Sequence, residues 1–263
     1  SAASDVYKRQ AERRVKLADL VQAAGALSTE DLAEALDVSA ETIRRDLLAL
    51  DKRGMLARVH GGATKLNQSA VSFEPSFDVR SGVSLERKQR IATAAAALAP
   101  SGSLLMIDIG TTAQLVARAL PVSLSATVVT TSLRVALELI DRPQIEVVIA
   151  GGRLRSGDLA VSGPAAARMI DGMHFDMAFL GSGGLDAKSG LTDYYLEEAE
   201  TRRAVIGSST TSYVLCDATK FGTVARYRAG QFGEFTGLVV DEAPDGELLD
   251  RVQESGTELV IAD

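Results

Sequence analysis

The chain has 263 residues, of which 46% are apolar and 24% are charged, and its formal net charge is −7. These values are ordinary for a globular protein and exclude a disordered or collagen-like chain. The longest uncharged stretch, residues 91–107, is broken by Pro100 and is too short to span a bilayer, and no apolar leader opens the sequence. The single cysteine, Cys216, excludes an intrachain disulfide, and no cluster of cysteine and histidine is present for zinc. We therefore expect a cytoplasmic protein with no membrane partner, metal or other cofactor.

The charge is unevenly distributed along the chain. Residues 1–68 carry 11 Lys+Arg against 10 Asp+Glu, whereas the remainder is acidic. Six Lys/Arg and three acidic residues fall between positions 39 and 65. If a chain of this balance binds DNA, a small local patch must do so, and dimerisation would double that patch.

The first ten residues have no periodic pattern. The string from Asp5 to Gln10 is similar to the translated end of a sequencing adapter. We expect residues 1–10 to be a non-native tail, with a native flexible tail as the alternative, and we assign no function to them.

Residues 11–65 have the pattern of three helices followed by a hairpin. Apolar residues at helical spacing predict a first helix over about residues 12–23, with Gly25 as its stop. Ser28 and Ser39 are good N-cap residues, and they predict the starts of a second helix and of a third over about residues 40–53. The short turn between these two helices is the spacing of a helix-turn-helix.

The third helix has two faces. Ile43, Leu47 and Leu50 share a face that we expect to pack inward, whereas Arg44 and Arg45 are displaced from it. Both arginines lie in the N-terminal half, the part of a recognition helix that reaches base edges in the major groove. A guanidinium can bind a guanine edge or a phosphate, and the sequence leaves both open. A pair of solvated surface arginines is the alternative.

A short apolar run that ends in Gly61-Gly62 predicts a hairpin wing after the third helix. Arg58, His60 and Lys65 are candidates for phosphate contacts there, and a structural role at the turn is the alternative for His60. The wing completes the pattern of a winged helix-turn-helix domain.

The order of these residues resembles the DNA-binding signature of the DeoR family, which are bacterial repressors of sugar-catabolic genes. The matching residues run from Ser39 to Leu47, include Gly54, and end with Arg58 to Ala63. The resemblance implies a double-stranded DNA operator as a partner. The DNA contacts that follow from it are Ser39, Glu41, Thr42, Arg44, Arg45, Arg58 and His60.

Residues 66–75 are polar, lack a helical period and predict a linker, whereas residues 76–263 alternate apolar strands with helices. This alternation predicts a mostly parallel, doubly wound α/β effector domain. The expected strands are residues 104–109, 127–130, 146–150, 177–180, 213–216, 238–240 and 259–261. The expected helices are residues 88–98, 112–120, 133–140, 164–170, 196–206 and 247–254.

Small and hydroxyl-bearing residues follow several of the predicted strands. They are Asp108 to Thr112, Thr130 to Ser132, Gly151 to Arg153, and Gly181 to Gly184. Ligands of open α/β sheets bind at the carboxyl ends of strands, where backbone N–H groups, a helix N-terminus and hydroxyls attract an anion. The pattern predicts a phosphate-sized pocket, with simple tight turns as the alternative. Neither a Gly-x-Gly-x-x-Gly after a strand nor a Walker A sequence is present, which argues against a dinucleotide or a nucleoside triphosphate.

The same segments resemble the DeoR effector domain, which is similar in fold to ribose-5-phosphate isomerase. The matching segments are Asp108 to Thr112, Gly151-Gly152, Phe179 to Gly181, Thr192 to Tyr194 with Glu197 and Glu198, Asp217 to Phe221, and Lys88. The resemblance implies a phosphorylated sugar as the effector. Its phosphate would be held by Gly110, Thr111 and Thr112, beside Asp108, Lys88 and Lys220, with Asp193 or Glu197 on the sugar hydroxyls. The other strand-end residues of the expected site are Thr131, Ser132, Gly151, Gly152 and Gly181.

Each polar residue of the expected effector site also has a structural alternative. Asp193 and Glu197 are acidic residues of the kind that favour a helix N-terminus, and Lys220 is a candidate surface lysine or a partner of Asp217. The family commonly has Asn where this chain has Thr131, and a hydroxyl cannot reproduce both contacts of an amide. The identity of the sugar therefore does not follow from the resemblance.

Two classes of function are compatible with these patterns. The first is a ligand-responsive transcriptional repressor of carbohydrate-catabolism genes, acting as a homodimer or homotetramer on a repeated or palindromic site. The second is an enzyme, a sugar-phosphate isomerase with an appended DNA-binding domain. We favour the repressor, because an isomerase has no need of a DNA-binding domain, and we assign no catalytic residues.

Overall fold

The computed structural model describes residue 10 and residues 13–21, 24–51, 55–59, 61–64 and 74–263. The chain forms two compact units, Ser1–Leu85 and Glu86–Asp263. The predicted tail and linker fall almost entirely on residues 1–9 and 66–73, outside the described residues, and their bounds stay predictions.

The first unit contains the helix-turn-helix and a small sheet. Its helices are α1 (helical residues 13–21), α2 (Thr29–Ala35), α3 (Ala40–Asp51) and α4 (Phe77–Gly82). Its strands are β1 (Ala26–Ser28), β2 (Ala57–Val59) and β3 (Gly62–Thr64), antiparallel in the order β1-β3-β2. The predicted winged helix-turn-helix is confirmed, and β1, which joins the wing as a third strand, was not predicted because three residues carry too little pattern.

Local sequence signals explain where these helices begin. Ser28 and Asp31 form a reciprocal capping box at the start of α2, and the Ser39 hydroxyl accepts the backbone N–H of Thr42 at 3.2 Å in the first turn of α3. Both predicted caps are therefore confirmed. Gly25 follows α1 with φ +79°, a conformation that glycine adopts without strain.

The core of the first unit is built on the predicted inner face of α3. Ile43, Leu47 and Leu50 are each at most 1% exposed, and they pack with Leu17 of α1 and Leu32 of α2. The helical spacing therefore identified the packed face correctly, which leaves the opposite face of α3 available to solvent.

A buried carboxylate ties α1 to α3. Asp46 lies on α3 and is 1% exposed, and its two oxygens accept hydrogen bonds from Arg13 and Arg14 of α1, each at 2.7 Å. A buried charge with both oxygens bonded to guanidinium groups is satisfied, and removal of both arginines would leave it uncompensated. Asp46 therefore orients α3 against the rest of the first unit.

The second unit is built around a seven-stranded parallel sheet of β4 (Ser103–Ile107), β5 (Ala126–Thr130), β6 (Ile145–Ile149), β9 (Phe175–Leu180), β12 (Ser209–Cys216), β14 (Gly237–Val240) and β15 (Glu258–Ile261). The strands lie in the order β15-β14-β12-β9-β4-β5-β6. The helices are α5 (Leu85–Leu98), α6 (Thr111–Ala119), α7 (Leu133–Leu139), α8 (Pro164–Asp171), α9 (Leu196–Gly207) and α10 (Gly246–Glu254). All the predicted strands and helices are present, with bounds that shift by a few residues.

The sheet separates two hydrophobic cores. In β4, Leu105 and Ile107 pack on one face with residues of α5, α6 and α7, whereas Met106 packs on the other with residues of α8, α9 and α10. Alternate side chains of a strand point to opposite faces, so a parallel sheet covered on both sides needs near-continuous apolar strands. The predicted doubly wound architecture is confirmed.

Two smaller strand groups accompany the sheet and were not predicted. One is the hairpin of β7 (Arg153–Arg155) and β8 (Ala160–Ser162), and the other is a three-stranded antiparallel sheet of β10 (Gly184–Asp186), β11 (Gly190–Asp193) and β13 (Tyr227–Gly230). Strands this short give no readable alternation in the sequence. Among the described residues, every helix is too short or too polar to cross a membrane.

At one edge of the sheet, Tyr213 of β12 reaches across β14 and donates a hydrogen bond to Glu258 of β15 at 2.7 Å. A Cβ on the intervening Gly237 would lie 2.9 Å from the Tyr213 ring, so glycine makes this contact possible. Burial, reinforced by the Glu258 carboxylate, raises the pKa of Tyr213 to about 12.

This contact predicts a specific loss of stability in alkali. The folded state favours the neutral phenol of Tyr213. The contribution of this phenol to the stability of the folded state is complete below the unfolded tyrosine pKa of about 10, and it is lost as the pH rises through about 12. Over this pH interval, we expect the free energy of unfolding of Tyr213→Phe to fall by on the order of 2 kcal/mol less than that of the unsubstituted protein. Urea unfolding measures both. Burial also raises the pKa of Cys216 to about 12, but that contribution is common to both proteins. Parallel loss of stability in the two proteins would contradict the assignment.

Candidate functional site

The first candidate surface is the solvent face of α3. The side chains of Arg44 and Arg45 are 55% and 78% exposed, in the N-terminal half of a helix whose opposite face is core. The sequence placed both arginines outside the apolar stripe, and the structure places them in solvent. They are therefore available to an external anion or base edge.

Glu41 lies between the two arginines. Its carboxylate is 3.8 Å from Arg44 and 3.3 Å from Arg45, while Glu30 of α2 approaches Arg44 at 3.9 Å. All of these side chains are more than half exposed, so the pairs are weak and easily exchanged for other partners. The arginines are held in a mixed-charge cluster rather than in an open basic patch.

The other predicted DNA contacts have different surroundings. Ser39 and Thr42 are hydrogen-bonded to each other at 2.9 Å as part of the cap of α3. Arg58 is exposed on β2, and its backbone N–H donates to the Asp51 carboxylate at 3.1 Å, which connects the wing to the end of α3. His60, also predicted as a contact, lies outside the described residues.

The second candidate site is the part of the large sheet where the strand order reverses. The chain runs from β4 outward to β6 and then returns to β9 on the other side of β4. The carboxyl ends of β4 and β9 are therefore the topological switch point, the usual position of a ligand in an open α/β sheet. Asp108 follows β4 and Gly181 follows β9, and the Gly181 N–H donates to the Asp108 carboxylate at 2.9 Å.

The turn after β4 leads into the N-terminus of α6. Gly110 has φ +119° and begins the helix, and no side chain among the described residues caps this end of it. Thr111 is 7% exposed and Thr112 is partly exposed. Backbone N–H groups at a helix N-terminus, with hydroxyls beside them, form a site for an anion such as phosphate. Gly181 faces this turn so closely that a Cβ would lie 2.8 Å from the Ile109 carbonyl oxygen.

The residues after β5 and β6 mainly serve the fold. The Ser132 hydroxyl caps α7 through the N–H of Val135 at 3.3 Å, and the Thr131 carbonyl accepts the N–H of Val161 in β8 at 2.7 Å. A Cβ on Gly152 would lie 2.6 Å from the Ser162 carbonyl oxygen, so this glycine allows the β7–β8 hairpin to pack. The hydroxyl of Thr131 is buried, since that residue is 2% exposed.

Arg202 of α9, which the sequence analysis did not identify, is the centre of a buried ion-pair cluster. Its side chain is 4% exposed and bonds the Asp108 carboxylate at 2.6 Å and the Asp193 carboxylate of β11. Glu198, one turn earlier on α9, lies 3.9 Å from it. We define Arg202, Asp108, Asp193 and Glu198 as the Arg202 cluster. Asp108 and Asp193, which we expected to bind the effector, are thus both bonded to a guanidinium.

The Arg202 cluster continues to the β7–β8 hairpin. Arg155 of β7 bonds the Glu198 carboxylate, bonds Asp158 at 2.7 Å, and stacks its guanidinium 3.9 Å from the centre of the Tyr195 ring. Glu197 lies apart from this cluster, partly exposed, with Arg153 at 3.6 Å. The hairpin and the switch point are therefore connected by charged groups, whereas Glu197 is at the surface.

The remaining expected effector residues come from α5 and from the turn after β12, the strand that pairs with β9. Lys88 is 5% exposed on α5. Lys220 is partly exposed in a 3-10 turn after β12, where the Asp217 carboxylate accepts the N–H of Thr219 at 3.1 Å. Asp241, after β14, accepts the N–H of Ala218 at 2.8 Å. Within the described ranges, no group of three or more His, Cys, Asp or Glu side chains is placed to hold a metal ion.

Comparisons with known proteins agree with this arrangement. Residues 13–69 match the model of the DeoR-like helix-turn-helix domain, and residues 83–242 match that of the DeoR C terminal sensor domain. The chain is 36% identical over 253 residues to a glycerol-3-phosphate regulon repressor of Haemophilus influenzae, covering 96% of this chain and 97% of that one. It is 33% identical to the transcriptional repressor CsqR of Escherichia coli, covering 95% and 94%.

A solved ribose-5-phosphate isomerase from Methanocaldococcus jannaschii aligns with 51% of this chain and 53% of that one, at 19% identity and a TM-score of 0.38, a remote and partial likeness. The two family models together cover both units, and the curated relatives align over almost the whole chain. The chain therefore belongs to the DeoR family of helix-turn-helix transcriptional regulators.

Proposed function

We propose that the chain represses genes of carbohydrate catabolism by binding a double-stranded DNA operator, and that a phosphorylated sugar bound in the second unit relieves the repression. The observation that carries this proposal is the exposure of Arg44 and Arg45 on a capped recognition helix. A guanidinium in the N-terminal half of such a helix reaches base edges or phosphates of the major groove. Arg58 on the wing, together with His60, supplies contacts to the flanking backbone.

The small size of this surface supports a homodimer or homotetramer on a repeated or palindromic operator. One recognition helix with two arginines, partly neutralised by Glu41 and Glu30, offers little electrostatic attraction for DNA. Two-fold symmetry would double the contacts and would match half-sites one helical turn apart. We place this activity in the cytoplasm.

The geometry of the switch point supports a phosphorylated effector. The N-terminus of α6 offers backbone N–H groups and the hydroxyls of Thr111 and Thr112 at the carboxyl end of β4. A relative named for the glycerol-3-phosphate regulon is consistent with an effector that carries a phosphate. Lys88, Lys220 and Glu197 remain proposed contacts for the effector, with Thr131, Ser132 and the strand-end glycines forming the walls.

The structure supports a positioning role for Asp108 and Asp193. The Asp108 carboxylate holds the Gly181 N–H and Arg202, and Asp193 holds Arg202 and the N–H of Tyr195 at 3.1 Å. Both carboxylates are at most 4% exposed, so a sugar hydroxyl would have to compete with a guanidinium for them. We infer that these two carboxylates stabilise the turn after β4 from its buried side. The same bonds leave neither carboxylate free to act as a base, which disfavours the isomerase alternative.

The effector acts by differential affinity. A sugar phosphate releases the operator only if it binds a DNA-incompetent arrangement more tightly than a DNA-competent one. A coupling of about 1–3 kcal/mol, typical of such linkage, changes operator affinity by about 5- to 150-fold.

A thermal-shift screen against a panel of pentose, hexose and triose phosphates tests the effector half of the proposal. A ligand at about 100 times its Kd stabilises the folded protein by about 2.7 kcal/mol, which raises the melting temperature by about 5–10 °C. We expect Thr111→Val/Thr112→Val to remove most of the shift, because valine keeps the shape of threonine but not its hydroxyl. The same variant should bind the operator normally and should not release it when the sugar phosphate is added.

The matched control is Thr93→Val/Thr127→Val, which removes two hydroxyls on α5 and β5 away from the switch point. The control should keep the full thermal shift. A full shift in Thr111→Val/Thr112→Val, or no shift of the unsubstituted protein by any sugar phosphate, would contradict the proposed site.

A further inference from the structure

The acidic residue at the centre of the DNA-facing cluster has no obvious place in a surface that binds a polyanion. Glu41 lies in the first turn of α3, 61% exposed, and its carboxylate is within 4 Å of both Arg44 and Arg45. Neither the core nor the cap of α3 uses it, because the cap is made by Ser39 and Thr42. Among the described residues, its ion-pair partners are Arg44 and Arg45.

We propose that Glu41 determines sequence specificity in two ways. It accepts a hydrogen bond from a cytosine in the major groove, and it weakens binding to DNA that has no cytosine at that position. This inference rests on the proposed function, since it assigns a role within the same DNA-binding surface. Glu41 thereby sets the difference in affinity between operator and other DNA, while Arg44 and Arg45 supply the attraction.

Charge explains the opposition to non-specific DNA. Non-specific binding depends on cations that neutralise phosphates, and a carboxylate among those cations repels the same phosphates. Glu41 neutralises part of the charge of Arg44 and Arg45 in the free protein, so each arginine must leave Glu41 before it can bind a phosphate. An exposed ion pair of this kind is weak, so the barrier is modest and depends on salt concentration.

Hydrogen-bonding chemistry explains the choice of base. A carboxylate accepts hydrogen bonds and donates none, and the N4 amino group of cytosine presents a donor in the major groove. The residues of the first turn of a recognition helix are those that reach base edges. On a half-site with a cytosine at the right position, Glu41 gains a donor and the two arginines are released toward guanine edges or phosphates.

Glu30 provides a matched control. It approaches Arg44 at 3.9 Å with similar exposure, but it lies on α2 rather than in the first turn of α3. Glu30→Gln removes the same charge beside the same arginine without removing an acceptor from the recognition helix. We therefore expect it to raise affinity for all DNA and to leave the discrimination between sequences unchanged.

The experiment uses the full chain and a library of random DNA duplexes. Duplexes are enriched separately with the unsubstituted protein, Glu41→Gln and Glu30→Gln, and binding is then measured by fluorescence anisotropy on the enriched duplex and on an unselected duplex. For Glu41→Gln we expect about fivefold tighter binding to the unselected duplex. We also expect at least about tenfold lower discrimination and the loss of one C·G preference in each half-site.

The outcomes separate this inference from the proposed function. If Glu41→Gln keeps both the discrimination ratio and the selected sequence, the inference is wrong, even where the unsubstituted protein enriches a specific operator. It is also wrong if Glu30→Gln and Glu41→Gln change the ratio equally, because a general charge effect would then be sufficient. If the unsubstituted protein enriches no sequence at all, the proposed function itself fails.

Discussion

Replacement of both recognition arginines, Arg44→Ala/Arg45→Ala, is expected to abolish specific operator binding while the first unit stays folded. Each arginine bound to a base edge or phosphate contributes about 1–3 kcal/mol, so the pair accounts for at least about a thirtyfold change in affinity for each bound protomer. Their side chains are exposed and their only described partners are surface carboxylates, so little folding stability is lost. Gel shift on the duplex enriched by the unsubstituted protein measures the loss.

Loss of positive charge alone must be separated from loss of these particular side chains. Lys188→Ala/Arg251→Ala removes the same net charge from the second unit, where both residues form surface ion pairs, with Glu247 and Glu254. This control should bind the operator within about twofold of the unsubstituted protein, because neither residue belongs to the proposed DNA-binding surface and salt screens exposed charges. Unchanged operator affinity in Arg44→Ala/Arg45→Ala would rule out α3 as the recognition helix.

A lysine pair distinguishes the two contacts that the sequence left open. Arg44→Lys/Arg45→Lys keeps the charge for a phosphate contact but loses the planar fork that binds a guanine edge in bidentate fashion. If the arginines contact bases, this variant should bind unselected DNA normally and lose the operator preference. If they contact only phosphates, operator binding should survive.

The sequence predicted the framework of this protein because that framework depends on local patterns. The seven strands of the large sheet are short apolar runs, and the caps at Ser28 and Ser39 depend on side chains three residues away. Exposure of Arg44 and Arg45 followed from the helical spacing of Ile43, Leu47 and Leu50. Each of these inferences needs only neighbours along the chain.

The ion pairs could not be predicted in this way. Asp46 bonds residues 32 and 33 positions away, and Arg202 bonds Asp108 from 94 positions away. The sequence contained one partial signal, since Glu198 and Arg202 are spaced i, i+4 on α9, but that spacing is also typical of a solvent-exposed pair. The family resemblance indicated Asp108 and Asp193 as effector ligands. It did not indicate that Arg202 binds both of their carboxylates. A carboxylate that binds an effector is distinguished from one that only pairs with another side chain by its burial, and the sequence pattern does not report burial.

The same burial makes the stability of the second unit depend strongly on Arg202. Arg202→Met keeps the aliphatic volume but leaves the carboxylates of Asp108, Asp193 and Glu198, all at most 6% exposed, without the guanidinium that Asp108 and Asp193 share. Removal of one partner from a buried ion pair costs about 3–5 kcal/mol, a large part of the roughly 5–15 kcal/mol that stabilises a typical domain. We expect a loss of that size in the free energy of unfolding, measured by urea titration with far-UV circular dichroism.

The neighbouring Arg203 tests whether burial is the cause. Arg203 follows Arg202 on the same helix, is exposed, and donates to the backbone carbonyl of Arg228, so Arg203→Met should cost less than about 0.5 kcal/mol. Adding Asp108→Asn and Asp193→Asn to Arg202→Met should restore part of the loss, because neutral amides do not need a cation in the interior. Equal stability of Arg202→Met and Arg203→Met would show that the cluster does not hold the turn after β4. The effector site would then have to be formed without it.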